Sequence, residues 1–411
     1  MGKTSLTRSI SVNHATNQEL IDWRWSRAVP AGCLLMLIFG SSYALAVFSL
    51  PMADMSHALL SPFTSALGVQ SFSIAITMLV GGYLIDSYPS ALRIFIFIGL
   101  LITSSTTAWL AFGAQNLDPK TVFLSTSCMG FGLGTLYIGG VEHTAQWMPE
   151  LEGLAMGLGM GSLGLGSIIG SKLFQLLIDI LGVFNAFMAM MGIMAILTLV
   201  TLPFLKFPQR GWDPRAGTAT ISGSSSSSID LAVGHKLGSK LLIQPSFYQL
   251  LIIVACGAGP GYGAMVSFPT IMRDTFGLTA QNISSLFAIL NVISMCTRFG
   301  IGFSVDFLAF GKGYFWSGAK NMSIIVLLAQ CAALVLAPMF AASRSFAGFF
   351  ACITTLFMSF AASAVIAAVL SRQIFSPVNS AIVFGFAGGL CDGFTTMVFS
   401  ILISTVEDKA Q

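Results

Sequence analysis

Two charged residues, Arg298 and Asp392, lie within long apolar stretches of the sequence. A charged side chain in hydrocarbon costs roughly 2.5–3.5 kcal/mol, so such residues usually face a cavity or a partner. Arg298 lies about 12 Å along a helix from Asp306, and Asp392 lies about 18 Å from the predicted start of its own segment. A guanidinium can bind a carboxylate through two parallel hydrogen bonds. The pair therefore predicts a site for an organic anion, or else a static ion pair that joins two helices.

A short motif occurs twice, after the second apolar segment and at the end of the eighth. Gly82 and Asp86 are four residues apart, and Gly302 and Asp306 repeat that spacing in the second half of the chain. Glycine permits close approach of two helices, and aspartate can cap the start of a neighbouring helix or pair with a basic residue such as Arg93. The repeat predicts two switch loops whose contacts re-form when the protein changes conformation.

Three tyrosines within the apolar segments are candidates for lining a central cavity, namely Tyr43, Tyr137 and Tyr262. Packed or lipid-facing rings are the commoner case for aromatic residues. Pro260, with glycines on both sides, predicts that the seventh segment is either broken or flexible at this point, as in the interrupted helices that often mark a translocation path.

Two ionisable residues, Glu142 and His143, come near the end of the fourth segment. They could form a titrating pair. Solvation at the membrane surface is the favoured interpretation, because polar side chains near helix ends reach the interface.

The composition excludes a soluble protein. Hydrophobic residues make up 55% of the 411 residues and charged residues 9%, whereas soluble domains carry about 25% charged residues. The net charge of +3 is scattered, without a basic face for nucleic acid. A Gly-x-Gly-x-x-Gly match at Gly159–Gly164 lies inside an apolar segment, where it cannot act as a nucleotide-binding loop. With no metal-ligand cluster or nucleophile–base set in the segments, the sequence predicts neither an enzyme nor a bound cofactor.

Eleven apolar segments are long enough to cross a bilayer, because about 20 residues at 1.5 Å per residue span its hydrocarbon core. Only helices and closed barrels satisfy their backbone groups in lipid, so the prediction is an all-α membrane protein. The predicted spans are 28–50, 65–86, 91–113, 121–145, 153–180, 183–205, 247–270, 284–305, 321–341, 346–370 and 380–405.

These spans divide the chain into two helical half-domains. A tail at 1–27 precedes a six-helix half at 28–206, and a polar linker at 207–246 precedes a five-helix half at 247–411. A two-fold repeated transporter would have six spans in each half. The twelfth helix is therefore predicted to be missing, unless one long segment crosses twice.

Basic residues predict the orientation, since they concentrate in loops that face the cytoplasm. One side carries thirteen of them: Lys3, Arg8, Arg24, Arg27, Arg93, Lys206, Arg210, Arg215, Lys236, Lys240, Lys312, Lys320 and Arg372. The other side carries four: Lys120, Arg273, Arg344 and Lys409. We therefore expect the tail and the linker in the cytoplasm, and a multi-pass protein of the plasma membrane rather than of an organelle. Asn282 begins a possible glycosylation sequon in a predicted external loop.

The run from Gly82 to Arg93 and its counterpart from Arg298 to Asp306 resemble the signature loops of the major facilitator superfamily. A Trp147-Met148-Pro149 turn stands before a glycine-rich fifth span, and the first span contains Gly40-Ser41-Ser42-Tyr43-Ala44. These features are similar to the branch of oxalate/formate antiporters and monocarboxylate transporters. The resemblance covers essentially the whole chain and implies two helical halves around a central cavity.

The resemblance also implies roles for the two buried charges. Members of this branch place a substrate-binding arginine on helix eight, upstream of the same glycine and aspartate, at the position of Arg298. The oxalate-exchanging members carry a lysine on helix eleven, whereas this chain has Asp392 there. A monoanion with proton coupling is therefore favoured over a dicarboxylate.

The sequence thus predicts a secondary transporter that moves a small organic anion, most simply a monocarboxylate, by alternating access. A proton or a counter-anion would drive it. The alternatives are a carrier for amino acids or other small solutes, and a non-transporting receptor or scaffold on the same fold.

Overall fold

Long helices form the fold of the computed structural model. The structure describes residues 17–42, 61–208, 212, 214, 243–308, 318–375, 379–398 and 401–402. The regular elements within these residues are all helical, as the apolar segments predict.

Within the described residues, the first half contains seven α-helices: α1 Asn17–Trp23, α2 Val29–Ser41, α3 Ser61–Ser87, α4 Leu92–Gln115, α5 Pro119–Trp147, α6 Glu152–Leu181 and α7 Val183–Thr201. A π-helical turn, Arg24–Ala28, joins α1 to α2. The second half contains α8 Pro245–Phe276, α9 Ala280–Phe307, α10 Gly318–Ala342, α11 Phe346–Phe375 and α12 Ser380–Phe384. Beyond α12 the helix continues through a π-helical segment, Gly385–Cys391, to residue 398.

Ten helices in the described part of the chain are long and apolar enough to cross a membrane. They correspond to ten of the eleven predicted spans, so the multi-pass helical prediction is confirmed. The first predicted span, 28–50, is helical over Val29–Ser41, and its residues from 43 onward lie outside the described residues.

Each half packs around one central helix. In the first half α2, α3 and α4 pack on α5, and in the second half α8, α9 and α10 pack on α11. The halves meet crosswise, because α6 packs along α9 and α3 packs along α12 and the π-helical segment. The contact of α6 with α9 thus has its counterpart in the contact of α12 with α3.

Helix α6 packs closely on two sides through glycines. A Cβ atom added at Gly157 would lie 3.0 Å from the Cα atom of Gly302 in α9, and one added at Gly170 would lie 2.7 Å from the Cα atom of Ser41 in α2. Small residues allow the backbones to approach closely, which favours helix contact in lipid. These glycines therefore hold α6 close to α2 of its own half and to α9 of the other half.

Of the two outcomes predicted at Pro260, a break is wrong, because α8 is one helix from Pro245 to Phe276, and flexibility of the helix there stays a prediction. A proline within a helix lacks the N–H that would bind the carbonyl four residues earlier, which here belongs to Cys256. Gln330 of α10 supplies the missing donor, since its Nε2 atom lies 2.8 Å from the Cys256 oxygen. Neighbouring helices commonly satisfy freed backbone groups in this way, and this bond allows α8 to pass Pro260 uninterrupted.

We expect Gln330→Leu to destabilise the protein by about 1–3 kcal/mol, because the Cys256 carbonyl, which Pro260 leaves free within an apolar helix, would lose its donor. Thermal unfolding in detergent measures the change. In a Pro260→Ala background the alanine N–H can bind the same carbonyl, so Gln330→Leu should cost clearly less there. Equal losses in the two backgrounds would contradict this account of the bond.

Candidate functional site

Arg298 lies inside α9 at the interface of the two halves. The helix ends at Phe307, and Arg298 is only 9% exposed. Its guanidinium reaches α6, because a Cβ atom added at Gly164 would lie 3.2 Å from the Nη1 atom of Arg298. The absence of a side chain at Gly164 therefore leaves the room that the guanidinium occupies.

Asp392 immediately follows the π-helical segment Gly385–Cys391. Its carboxylate lies within electrostatic range of Arg298 and forms a side-chain hydrogen bond with Thr396. The Oδ1 atom of Asp392 is buried, with no hydrogen-bond partner among the described residues. Short π-helical segments frequently occur at functional sites. The structure thus brings the two predicted charges near each other and leaves one carboxylate oxygen of Asp392 unbonded.

The candidate tyrosines are packed among other rings. Tyr137 is 9% exposed, and its ring stacks on that of Phe39 with centroids 4.8 Å apart. Tyr262 is equally buried, and its ring centroid lies 6.2 Å from that of Phe360. Tyr43 lies outside the described residues. A role for these tyrosines in lining a cavity stays a prediction.

The two motif aspartates bind the starts of helices in the opposite half. The Oδ2 atom of Asp86 accepts a hydrogen bond from the N–H of Ile382 in α12, at 2.9 Å. The carboxylate of Asp306 accepts from the N–H groups of Gly153 and Leu154 at the start of α6, both at 2.8 Å. The positive end of each helix dipole favours a negative charge at this place. One carboxylate from each half therefore holds a helix of the other half.

The motif glycines make these contacts possible. A Cβ atom added at Gly82 would lie 2.7 Å from the carbonyl carbon of Ala381, and one added at Gly302 would lie 2.6 Å from the Cα atom of Gly157. Backbone atoms cannot move aside at such distances. Glycine is thus required for α3 to reach α12 and for α9 to reach α6.

Arg93 binds within its own half. Its Nε atom lies 2.9 Å from the carbonyl oxygen of Leu205, and its Nη2 atom lies 2.8 Å from that of Pro203. Both acceptors follow α7, just before the predicted linker. Asp86 was predicted either to cap a neighbouring helix or to pair with a basic residue such as Arg93. The hydrogen bond from Ile382 shows that it caps a helix.

These contacts share one end of the helices, which we call the linker end. At this end Trp147, the last residue of α5, donates from Nε1 to the carbonyl oxygen of Lys206 at 2.7 Å. The cross-half contacts of Asp86 and Asp306 lie at the same end, and we call them the linker-end gate. In the structure this gate is closed.

A buried charge network at the linker end was missed by the sequence analysis. Arg372 of α11 binds Glu142 of α5 at 3.2 Å and Glu152 of α6 at 3.4 Å. Glu142 and His143 are 1% and 0% exposed, so the expectation that they are solvated at the membrane surface is wrong. The signal in the sequence was Glu142 itself, a carboxylate inside an apolar segment whose only suggested partner was its neighbour His143.

No group of three His, Cys, Asp or Glu side chains suited to a metal ion occurs in the residues that the structure describes. The groups of the candidate site are a guanidinium and a carboxylate in the interior, with carboxylates and helix starts at the linker end.

The chain matches the family model of the Major Facilitator Superfamily over residues 32–400. Because this match covers most of the chain, the protein belongs to the Major Facilitator Superfamily, a family of membrane transporters.

Three known proteins illustrate the relationship. The oxalate:formate antiporter of Oxalobacter formigenes is 25% identical over 164 residues, which are 40% of this chain and 38% of the antiporter. The match thus spans well under half of that relative. The structure of the proton:xylose symporter XylE bound to 6-bromo-6-deoxy-D-glucose superposes with a TM-score of 0.74 at 15% identity, over 96% of this chain and 90% of that one. The human organic anion transporter MFSD10 superposes with a TM-score of 0.63 at 15% identity, over 92% and 93%. At such identities the two structures support the fold alone.

We expect Asp306→Asn to shift the linker-end gate toward its open form by roughly tenfold or more. Hydrogen bonds to a charged group contribute about 1.5–3 kcal/mol, and the variant loses the charge on two of them. Distances between spin labels at Tyr88→Cys and Ile243→Cys, which are 61% and 77% exposed, report the separation of the halves once the native cysteines are replaced.

Asp118→Asn is the matched control for this measurement. Asp118 caps α5 from within the first half by accepting from the N–H groups of Lys120 and Thr121, and asparagine keeps such a cap. An equal shift in both variants would argue against a gate held by Asp306.

Proposed function

We propose that this protein is a secondary active transporter of a small organic anion, most simply a monocarboxylate. The proposal is carried by the buried guanidinium of Arg298, which belongs to one half and lies against Gly164 of the other. A substrate bound there would contact both halves, as alternating access requires. The name of the matched relative, an oxalate:formate antiporter, supports small carboxylates as the substrate class.

The charge of Asp392 favours a monoanion. An ionised Asp392 would repel a second carboxylate on the substrate. With Asp392 protonated, Arg298 balances only one carboxylate, so the second charge would remain uncompensated in a buried site. A monocarboxylate presents one charge, which the two parallel N–H groups of Arg298 can bind.

Asp392 also supports proton coupling. In the empty carrier an ionised Asp392 attracts Arg298, whereas a proton on Asp392 leaves the guanidinium available to the substrate. The loaded site then has no net charge, because the substrate carboxylate is paired with the guanidinium and Asp392 is protonated. The two halves can therefore reorient without an uncompensated buried charge. A counter-anion that replaces the substrate on Arg298 would allow exchange instead.

The orientation follows from the basic residues. We propose that the linker end faces the cytoplasm and that the protein resides in the plasma membrane. The closed linker-end gate then corresponds to the state in which the site is reached from outside. Tyr137 and Tyr262 would shape the apolar walls of the path in each half.

Two other functions use the same fold. One is a carrier for amino acids or other small solutes, which would use the fold that the proton:xylose symporter shares. A receptor or scaffold would keep Arg298 and Asp392 locked together, and the unbonded Oδ1 atom of Asp392 disfavours that arrangement.

We expect Arg298→Lys to raise the KM for a monocarboxylate about tenfold or more, because lysine cannot form the two parallel hydrogen bonds. Uptake of labelled formate, lactate, pyruvate and oxalate into proteoliposomes measures the effect. Arg273→Lys changes an exposed arginine that pairs with Asp274 at the opposite end of the helices, and it should leave uptake unchanged. Unaltered transport in Arg298→Lys would mean that the guanidinium is not the substrate site.

We expect Asp392→Asn to abolish accumulation driven by a pH gradient, because asparagine cannot exchange a proton. Exchange of one internal for one external anion should persist, since Arg298 remains. The same proteoliposomes, assayed with and without a pH gradient, separate the two modes. Proton-driven uptake at the full rate in this variant would refute the coupling scheme.

A further inference from the structure

One buried guanidinium, that of Arg372, binds two carboxylates at the linker end. The Nη1 atom of Arg372 lies 3.2 Å from Oε2 of Glu142, and its Nε atom lies 3.4 Å from Oε1 of Glu152. The carboxylates belong to α5 and α6 of the first half, and the cation belongs to α11 of the second half. Arg372 and Glu142 are 3% and 1% exposed. This network must therefore break when the halves separate at this end.

Neutral groups complete the surroundings of Glu142. Ser380, the first residue of α12, donates from Oγ to Oε2 of Glu142 at 3.4 Å and accepts from Nη1 of Arg372 at 3.2 Å. Gln146, one turn along α5, also forms a side-chain hydrogen bond with Glu142. The ring of His143 lies instead against that of Phe207 at the start of the linker, with centroids 5.9 Å apart.

Two further carboxylates act on this network. Asp86, near the end of α3, lies within electrostatic range of Glu142, and Asp306, near the end of α9, lies within range of Glu152. Both aspartates are bound to N–H groups at helix starts. Such bonds stabilise their ionised forms.

The charges of the closed gate do not balance. Among the described residues, four carboxylates interact with one another around the guanidinium of Arg372, whereas Arg24 is already paired with Glu150. The two helix starts add only about half a positive charge each. About two units of negative charge remain, and the charge on Glu142 is the part that is shielded from water, which is costly. Of the four carboxylate residues, Glu142 alone is fully buried. A proton on Glu142 would remove its repulsion with Asp86 and Glu152. Arg372 would then pair with the one ionised carboxylate of Glu152.

We propose that Glu142 holds a proton while the linker-end gate is closed and releases it to the linker side when the gate opens. Opening moves Arg372 and α12 away from α5, so that water reaches the carboxyl group. The O–H bond of the acid then breaks, which gives a carboxylate and a hydronium ion. This proton site is separate from Asp392, and it does not depend on the identity of the substrate.

The proposal fixes the sign of a pH effect. The closed gate binds one proton more than the open gate, so acid on the linker side favours closure. For a single proton the ratio of closed to open molecules changes by at most about tenfold per pH unit.

The experiment uses the full chain with Asp392→Asn, which removes the other candidate proton site, and with spin labels at Tyr88→Cys and Ile243→Cys. Distance distributions are recorded without substrate. Between about pH 8 and about pH 6 the ratio of closed to open molecules should rise by up to about 100-fold. A ratio that does not change with pH would overturn the proposal.

A second variant assigns the response to Glu142. Glu142→Gln, added to the same protein, should stay closed at both pH values, because glutamine resembles the protonated acid. Asp179→Asn, which changes an exposed carboxylate on α6, should keep the full response. A full response in Glu142→Gln would reject Glu142 as the proton site.

If Glu142→Gln does not fold, the pH response of Glu152→Gln tests the same proposal. It leaves one carboxylate for Arg372, so the pH response should again be lost, and a retained response would contradict the charge argument. Because no substrate is present, these results are independent of whether Arg298 binds an anion.

Discussion

A helix that begins inside a membrane protein leaves its first backbone N–H groups without partners, and lipid cannot supply them. In α6 and α12 these groups are bound by Asp306 and Asp86, each from the opposite half. The bonds that satisfy the helix starts are therefore the bonds that close one end of the protein. Opening that end must expose both helix starts to water, and this requirement links backbone chemistry to the conformational change.

The crosswise pairing also explains why the repeat is imperfect. The central helices α5 and α11 hold corresponding places in the two halves, and near their linker ends they carry Glu142 and Arg372, which bind each other. A perfect repeat would place like charges opposite one another. Divergence of the halves at these positions turns a repulsive contact into an ion pair. The resulting network has more carboxylates than cations.

Much of this arrangement could be predicted from the sequence, because length and apolar composition determine membrane helices directly. The recurrence of Gly82 and Asp86 as Gly302 and Asp306 indicated the gate, since glycine and aspartate have few other reasons to recur at that spacing. The partner of Glu142 could not be predicted, because Arg372 reads as an ordinary loop cation beside an apolar run. The continuous α8 could not be predicted either, since the donor for Cys256 comes from another helix.

That donor has a consequence for how the chain enters the membrane. Gln330 follows Cys256 by 74 residues, so α8 is inserted before its partner has been translated. At about 5–20 residues per second, α10 emerges roughly 4–15 s later. During that interval the carbonyl beside Pro260 has to be accommodated by water or by the insertion machinery. The continuous form of α8 therefore gains its full set of backbone hydrogen bonds only after α10 has been made and has packed against it.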